Sequence, residues 1–102
     1  MYVEVSRSGG AAVKDLENLR ELAVRAGGGL VEQDVAHALA AAGLGTVDAG
    51  YAWLEMEQLR AGGAAQPPQW AEGFDGMISF AKSRGWLSDD GGSVRAHIDY
   101  RE

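Results

Sequence analysis

The sequence has no cysteine, few basic residues and no long apolar run, and each of these absences excludes a kind of protein. Without a thiol, the 102-residue chain forms no disulfide and offers neither a thiolate metal ligand nor a cysteine nucleophile. No apolar stretch approaches the roughly 20 residues that a helix needs to cross a bilayer. Residues 1–10 also lack the basic region and apolar run of a signal peptide, so we expect a cytoplasmic protein with no membrane partner.

The charge balance is acidic, because nine Lys and Arg face 15 Asp and Glu and leave a formal net charge of −6. Nucleic acids are bound largely through Lys and Arg contacts with phosphate groups. The charge therefore predicts no nucleic-acid partner. Metal sites usually need at least three ligands, and the chain has only two histidines and no thiol, so we expect no metal and no cofactor.

What the chain does contain is enough apolar material for one core. Its hydrophobic content is 46% and its length is that of a single domain, which we place at residues 1–102. Alanine and 15 glycines make up much of the composition, so few large side chains carry the core. A small domain of this kind has a modest stability margin, and we expect it to self-associate as a homodimer.

The clearest local signals lie between Pro67 and Tyr100. A stripe of apolar side chains recurs there at steps of three and four residues, which predicts a helix. Gly85 fits the left-handed position that ends a helix, and Trp86 would then pack back on Phe80 or Ala81. The members of the stripe are Trp70, Phe74, Met77, Ile78 and Ala81.

The two ends of the chain alternate between apolar and polar residues, as half-buried strands do. We predict strands at Met1–Arg7 and Val94–Arg101, which pair directly with each other under a cover of helices. Ser88–Gly92 is predicted to be a turn, and Trp86-Leu87 would supply a short hairpin arm before it.

Three further helices are predicted from apolar spacing and glycine stops, at Ala12–Ala26, Leu30–Ala42 and Thr46–Arg60. The expected fold is therefore α+β, with four short helices packed on a small sheet. Three helices followed by a turn and a strand resemble a winged-helix module in element order. The third helix would then be the recognition helix, but its three carboxylates against one arginine suit a protein partner better than DNA.

Each histidine has a carboxylate close by in sequence. His97 and Asp99 share the polar face of the last strand, and His37 lies one helical turn after Asp34. A carboxylate beside an imidazole can orient the ring for acid–base catalysis, provided that a pocket holds the pair. The alternatives are an ion-pair lattice on the sheet for the first pair and a solvated helix face for the second.

Five aromatic residues form the predicted binding surface, because aromatic side chains dominate both protein interfaces and small-molecule pockets. Their alternative is ordinary core packing. The leading functional hypothesis is an acidic interaction or accessory protein that binds itself or another protein through residues 46–60 and 67–86. The alternatives are a small-molecule-binding protein or small enzyme that uses a His/Asp pair, and a winged-helix-like regulator. The surface comprises Tyr51, Trp53, Trp70, Phe74 and Trp86.

Overall fold

A computed structural model describes residues 1–8 and 10–101. The described part of the chain holds six strands and three helices, in a sheet-dominated α+β fold. The class α+β is confirmed, but the prediction of four helices on a small sheet is wrong. In chain order the elements are β1 (Tyr2–Val5), β2 (Ala11–Lys14), β3 (Ala23–Ala26), α1 (Glu32–Ala41), β4 (Gly45–Asp48), β5 (Tyr51–Glu55), α2 (Met56–Gly62), α3 (Pro68–Ser83) and β6 (Ser93–Tyr100).

The six strands form one mixed sheet that curls into a half-barrel, in the order β2-β1-β3-β6-β5-β4. Both terminal segments are strands, as predicted, but the prediction that they pair directly is wrong. β3 lies between them and runs parallel to both, so that Val24 stands level with Val3 of β1 and Ile98 of β6. The predicted topology lacks this central strand, because the apolar spacing of residues 12–26 predicts a helix where β3 lies.

The predicted helix at residues 12–26 is wrong, since this segment forms most of β2, a loop, and β3. The loop begins with Asp15 in the left-handed region (φ 53°), where the amide of Asn18 donates to the Asp15 carbonyl at 3.1 Å. Three leucines spaced by three residues, in this loop and just before β3, are half-buried against the core. Their helix-like spacing therefore does not come from a helix. They are Leu16, Leu19 and Leu22.

The predicted helix at residues 46–60 is also wrong, because β4 and β5 form an antiparallel hairpin there and only α2 is helical. Ala49 (φ 53°) and Gly50 (φ 85°) form the turn. Positive φ angles at both turn residues match the right-handed twist of the flanking strands. The winged-helix element order is therefore wrong as well, since the expected recognition helix is mostly strand.

Two predicted helices are confirmed as α1 and α3, and α3 ends as its sequence indicates. Gly85 lies in the left-handed region (φ 76°) and its amide donates to the Lys82 carbonyl at 3.1 Å, while the Trp86 amide donates to the Ala81 carbonyl at 3.0 Å. This Schellman arrangement turns Trp86 back onto Phe80, with ring centroids 5.9 Å apart. A bridge between Leu87 and Val94 then provides the expected hairpin arm.

The helices cover one face of the sheet and enclose the core. Phe74 of α3 is fully buried and stacks on Trp70 with centroids 5.1 Å apart. The indole Nε1 of Trp70 donates to the Leu16 carbonyl at 2.6 Å, which ties α3 to the loop before β3. Among the described residues, no helix combines the length and apolar character that crossing a membrane requires.

Candidate binding groove

Strand β6 changes its neighbour halfway along one edge. The first half of β6 pairs with β5 along one edge. The Leu87–Val94 bridge therefore lies on the other edge of β6, the edge that pairs with β3 further along. The Arg95 amide donates to the Trp86 carbonyl at 2.7 Å on this edge, and pairing with β3 begins only at His97. A cavity of about 460 Å³ opens at this change of neighbours, and we call it the seam groove.

The seam groove is lined mainly by apolar side chains. α3 and the residues after it form one wall, the loop before β3 forms the opposite wall, and β6 supplies the floor. Its volume lies within the ~300–1,000 Å³ that is typical of ligand-binding clefts. The apolar and aromatic lining comprises Leu22, Tyr51, Met77, Ile78, Phe80, Ala81, Trp86, Val94 and Ala96, and the charged or titratable lining comprises Arg20, Glu21, Arg95 and His97.

Large aromatic side chains lie open to solvent at the groove. Phe80 is 54% exposed, and Trp86, which it meets edge to face, is only half-buried. The Arg84 guanidinium lies over the Phe80 ring, 5.2 Å from its centroid. An exposed phenylalanine ring that packs on a half-buried tryptophan beside an apolar cavity is a surface that a partner can cover.

Two of the arginines at the groove, Arg84 and Arg95, contact aromatic rings. The Arg95 guanidinium lies 4.3 Å from the centroid of Tyr51, which is 39% exposed. Within residues 1–8 and 10–101 the salt bridges are Arg60–Asp75 and Arg101–Asp99, and neither belongs to the groove. The groove therefore presents guanidinium groups that no carboxylate of the described chain neutralises by direct contact.

The turn after Leu87 holds one wall of the groove in place. Ser88 and Ser93 close it, with the Ser88 amide donating to the Ser93 carbonyl at 2.9 Å. The Asp90 carboxylate accepts from the Ser88 hydroxyl at 2.7 Å and from the Gly92 amide at 2.8 Å. Because both bonds favour the charged carboxylate, they hold the pKa of Asp90 below its ordinary value.

The five aromatic residues of the predicted binding surface do not share one surface. Tyr51 and Trp86 both line the seam groove. Trp53 is half-buried on the sheet face away from the core, level with Arg95. Trp70 (7% exposed) and Phe74 (0%) lie in the core and cannot be reached from solvent in this fold.

The two His/Asp pairs are also separated. His97 lines the seam groove, but Asp99 accepts from Arg101 at 2.9 Å. His37 lines a different cavity of about 370 Å³ together with Asp34, whose carboxylate accepts from the Val31 amide at 3.0 Å and so caps α1. The histidines thus do not converge on one site. No group of three or more potential metal ligands occurs in the described part of the chain.

Sequence reasoning missed several groove residues. Phe80 carried a usable signal, because it is a large apolar residue outside the stripe that α3 turns toward the core. The sequence gives no such signal for Arg20 and Arg95. They line the same cavity only because residues 15–26 form a loop and β3, where the spacing predicts a helix. Only the order of the strands in the sheet brings them to the same cavity.

Comparisons with protein-family models, curated proteins and solved structures give no match to this chain. A fold alone does not identify a function, which must be argued from the site. The seam groove combines an apolar lining, open aromatic rings and more positive than negative side chains.

Proposed function

We propose that this chain is an interaction or accessory protein that binds an apolar segment of a partner protein in the seam groove. The observation that carries the proposal is the exposed Phe80 ring, packed on the half-buried Trp86 beside an apolar cavity. Aromatic residues and arginine are enriched where partner proteins make their strongest contacts. The groove offers both kinds of residue around one opening.

The walls of the groove are held by the fold, which supports binding. Two backbone hydrogen bonds fix Trp86. Its amide donates to the Ala81 carbonyl, and its carbonyl accepts from the Arg95 amide. The loop before β3 is fixed by the bond from Trp70 to Leu16. A preformed site loses less conformational entropy on binding than one that must first order itself.

A second candidate function is the binding of a small apolar molecule, which is favoured by the cavity volume of about 460 Å³. Its catalytic version, with His97 as the acid–base group, has less support. Asp99 is engaged with Arg101 instead of orienting His97, and His37 lies in another cavity. The lining also offers no hydroxyl nucleophile other than Tyr51 among its described residues.

Self-association through this groove has an electrostatic cost. A two-fold axis through the groove would bring the same arginines of two copies together, and like charges at an interface oppose binding. We therefore favour a different protein as the partner. The cytoplasmic location expected from the sequence stays a prediction, which cell fractionation would test.

The test is a ¹⁵N–¹H NMR titration of the full chain with acetylated, amidated hexapeptides that carry one leucine in a neutral serine background. We expect shifts at Met77, Ile78 and Trp86, and their loss in Phe80→Ala. Val31→Ala is the matched control, because Val31 is also exposed (59%) but lies at the start of α1, away from the groove. No groove shift with this peptide or with a charged leucine peptide at about 1 mM, where a Kd of 1 mM would half-saturate the site, would refute the proposal.

A further inference from the structure

We propose that the partner segment carries carboxylates on either side of the apolar side chain that enters the seam groove. This inference rests on the proposed function and adds the chemistry of the partner. It follows from the charges around the cavity, from how the arginines are held, and from the apolar lining of the cavity.

The charge at the groove is opposite in sign to that of the whole protein. Arg20 and Arg95 line it and Arg84 lies over Phe80 at its edge, whereas Glu21 is the one carboxylate among its described lining residues. Arg20 and Arg95 against Glu21 give the Asp, Glu, Lys and Arg side chains of the lining a formal charge of +1, on a chain of −6, and Arg84 adds a third guanidinium at the edge. An acidic segment is therefore attracted to the groove and repelled by the rest of the surface.

Two of these arginines are already placed for recognition of carboxylates. Arg95 contacts the ring of Tyr51 and Arg84 contacts the ring of Phe80, with 4.3 and 5.2 Å between guanidinium carbon and ring centroid. Such contacts use the flat face of the guanidinium. Its N–H groups remain able to bind a carboxylate through two parallel hydrogen bonds.

The aliphatic part of the groove lining decides between an acidic peptide and other anions. Met77 and Ile78 of α3 are half-buried and offer aliphatic surface, which suits a leucine or aromatic side chain and gives a phosphate group nothing to bind. The net charge of −6 also repels a polyanion such as a nucleic acid beyond the groove itself. A second copy of this chain would bring its own arginines to the same place.

The experiment measures fluorescence anisotropy of four labelled hexapeptides with the full chain at low ionic strength. One has leucine flanked by glutamates, one has leucine flanked by lysines, one has leucine flanked by serines, and one has glutamates with glycine in place of leucine. We expect the acidic leucine peptide to bind at least about tenfold more tightly than the lysine peptide, with the serine peptide between them. Added salt should narrow this difference.

Variants assign the effect to the groove. Arg95→Gln and Arg84→Gln should weaken the acidic leucine peptide by about threefold to tenfold each and leave the serine peptide unchanged. Arg60→Gln is the matched control, because Arg60 bonds Asp75 outside the groove and its loss removes the same charge. Equal weakening by all three substitutions would show a general charge effect and overturn the assignment.

The remaining outcomes separate the inference from the function on which it rests. Equal or tighter binding of the lysine peptide would overturn the inference while the proposed function stands. Failure of every leucine peptide would overturn both. If the glycine peptide bound as tightly as the acidic leucine peptide, the groove would be a site for anions in general, and the inference would be overturned. The same holds if a single-stranded oligonucleotide bound as tightly. If decanoate bound more tightly than the peptides, the ligand of the groove would be a small molecule instead of a partner protein. If the chain formed a dimer that excluded the peptides, the occupant would be a second copy of the chain.

Discussion

Phe80 and Phe74 lie on the same helix, six residues apart, yet Phe80 is 54% exposed and Phe74 is fully buried. Six residues are about one and two-thirds turns of helix, so the two rings point to different sides of α3. Phe74 joins Trp70 in the core, whereas Phe80 meets Trp86 at the groove. Phe74 therefore contributes to core packing, whereas Phe80 is placed at the proposed binding surface.

Replacing each phenylalanine by alanine should affect the free energy of unfolding very differently. Phe74→Ala removes a fully buried ring and should cost about 3–5 kcal/mol. Phe80→Ala should change stability by no more than about 1 kcal/mol, because the residue is already 54% exposed and lies outside the core. Urea denaturation followed by circular dichroism measures both. A loss in Phe80→Ala as large as that in Phe74→Ala would mean that Phe80 belongs to the core.

Two glycines test how closely the chain packs around α3. Gly63 follows α2, and a Cβ atom there would collide with the ring of Trp70, whereas a Cβ at Gly76 would meet nothing within 4 Å. Gly63→Ala should destabilise the protein by about 1–3 kcal/mol through overpacking. Gly76→Ala should stabilise α3 by about 0.5–1 kcal/mol. Thermal unfolding of the two variants should therefore shift in opposite directions, and a shared direction would contradict this packing.

The turn that holds Trp86 should make stability depend on pH. Since its hydrogen bonds lower the pKa of Asp90 in the folded state, the charged carboxylate stabilises the fold above its ordinary pKa of 3.8. This stabilisation is lost as the pH falls through the lower folded pKa. Asp90→Asn should be less stable than the unchanged protein at neutral pH, and the gap should narrow in acid.

The neighbouring Asp89 provides the control for this turn, because it has the same charge and differs by one position in the chain. Asp89→Asn removes the same charge but keeps the hydrogen bonds of the Asp90 carboxylate, so it should cost less stability at neutral pH than Asp90→Asn. Denaturant unfolding at a series of pH values measures both variants. A gap for Asp90→Asn that stays constant into acid would mean that its carboxylate does not act through charge.

Tyr100 tests whether the end of β6 lies near α1. Partial burial raises the pKa of the Tyr100 phenol above its ordinary value of 10.0, and the charge of Glu32 adds to this effect. Glu32→Gln should lower the pKa of Tyr100 without restoring the ordinary value, because the burial remains. Absorbance titration of the tyrosinate band, with Tyr100→Phe to identify the signal, gives the pKa. An unchanged value in Glu32→Gln would place α1 away from β6.

Local sequence signals were sufficient for the elements whose structure is locally determined. The end of α3 depends on Gly85 and its two preceding turns, and the hairpin arm depends on the turn after Leu87. α1 was predicted from the same kind of spacing and glycine stop. In each case the residues that specify the structure lie within a few positions of it.

The segments that were wrongly predicted depend on distant partners. β3 has only four residues, and its place is set by hydrogen bonding to β1 on one side and β6 on the other. Strand preference is strongly affected by such context. The β4–β5 hairpin was easier to predict from the sequence than β3. Gly50 interrupts the segment, and Ala52 and Leu54 alternate with more exposed residues. The helical spacing of its apolar residues concealed that alternation.

The most direct test of the account is an NMR measurement of intermolecular nuclear Overhauser effects between the full chain and the acidic leucine hexapeptide. We predict cross-peaks from the peptide leucine methyls to the side chains of Met77 and Ile78 and to the indole ring of Trp86. Cross-peaks to residues of the His37 cavity instead, or binding without any contact to α3, would contradict the assignment of the seam groove as the functional site.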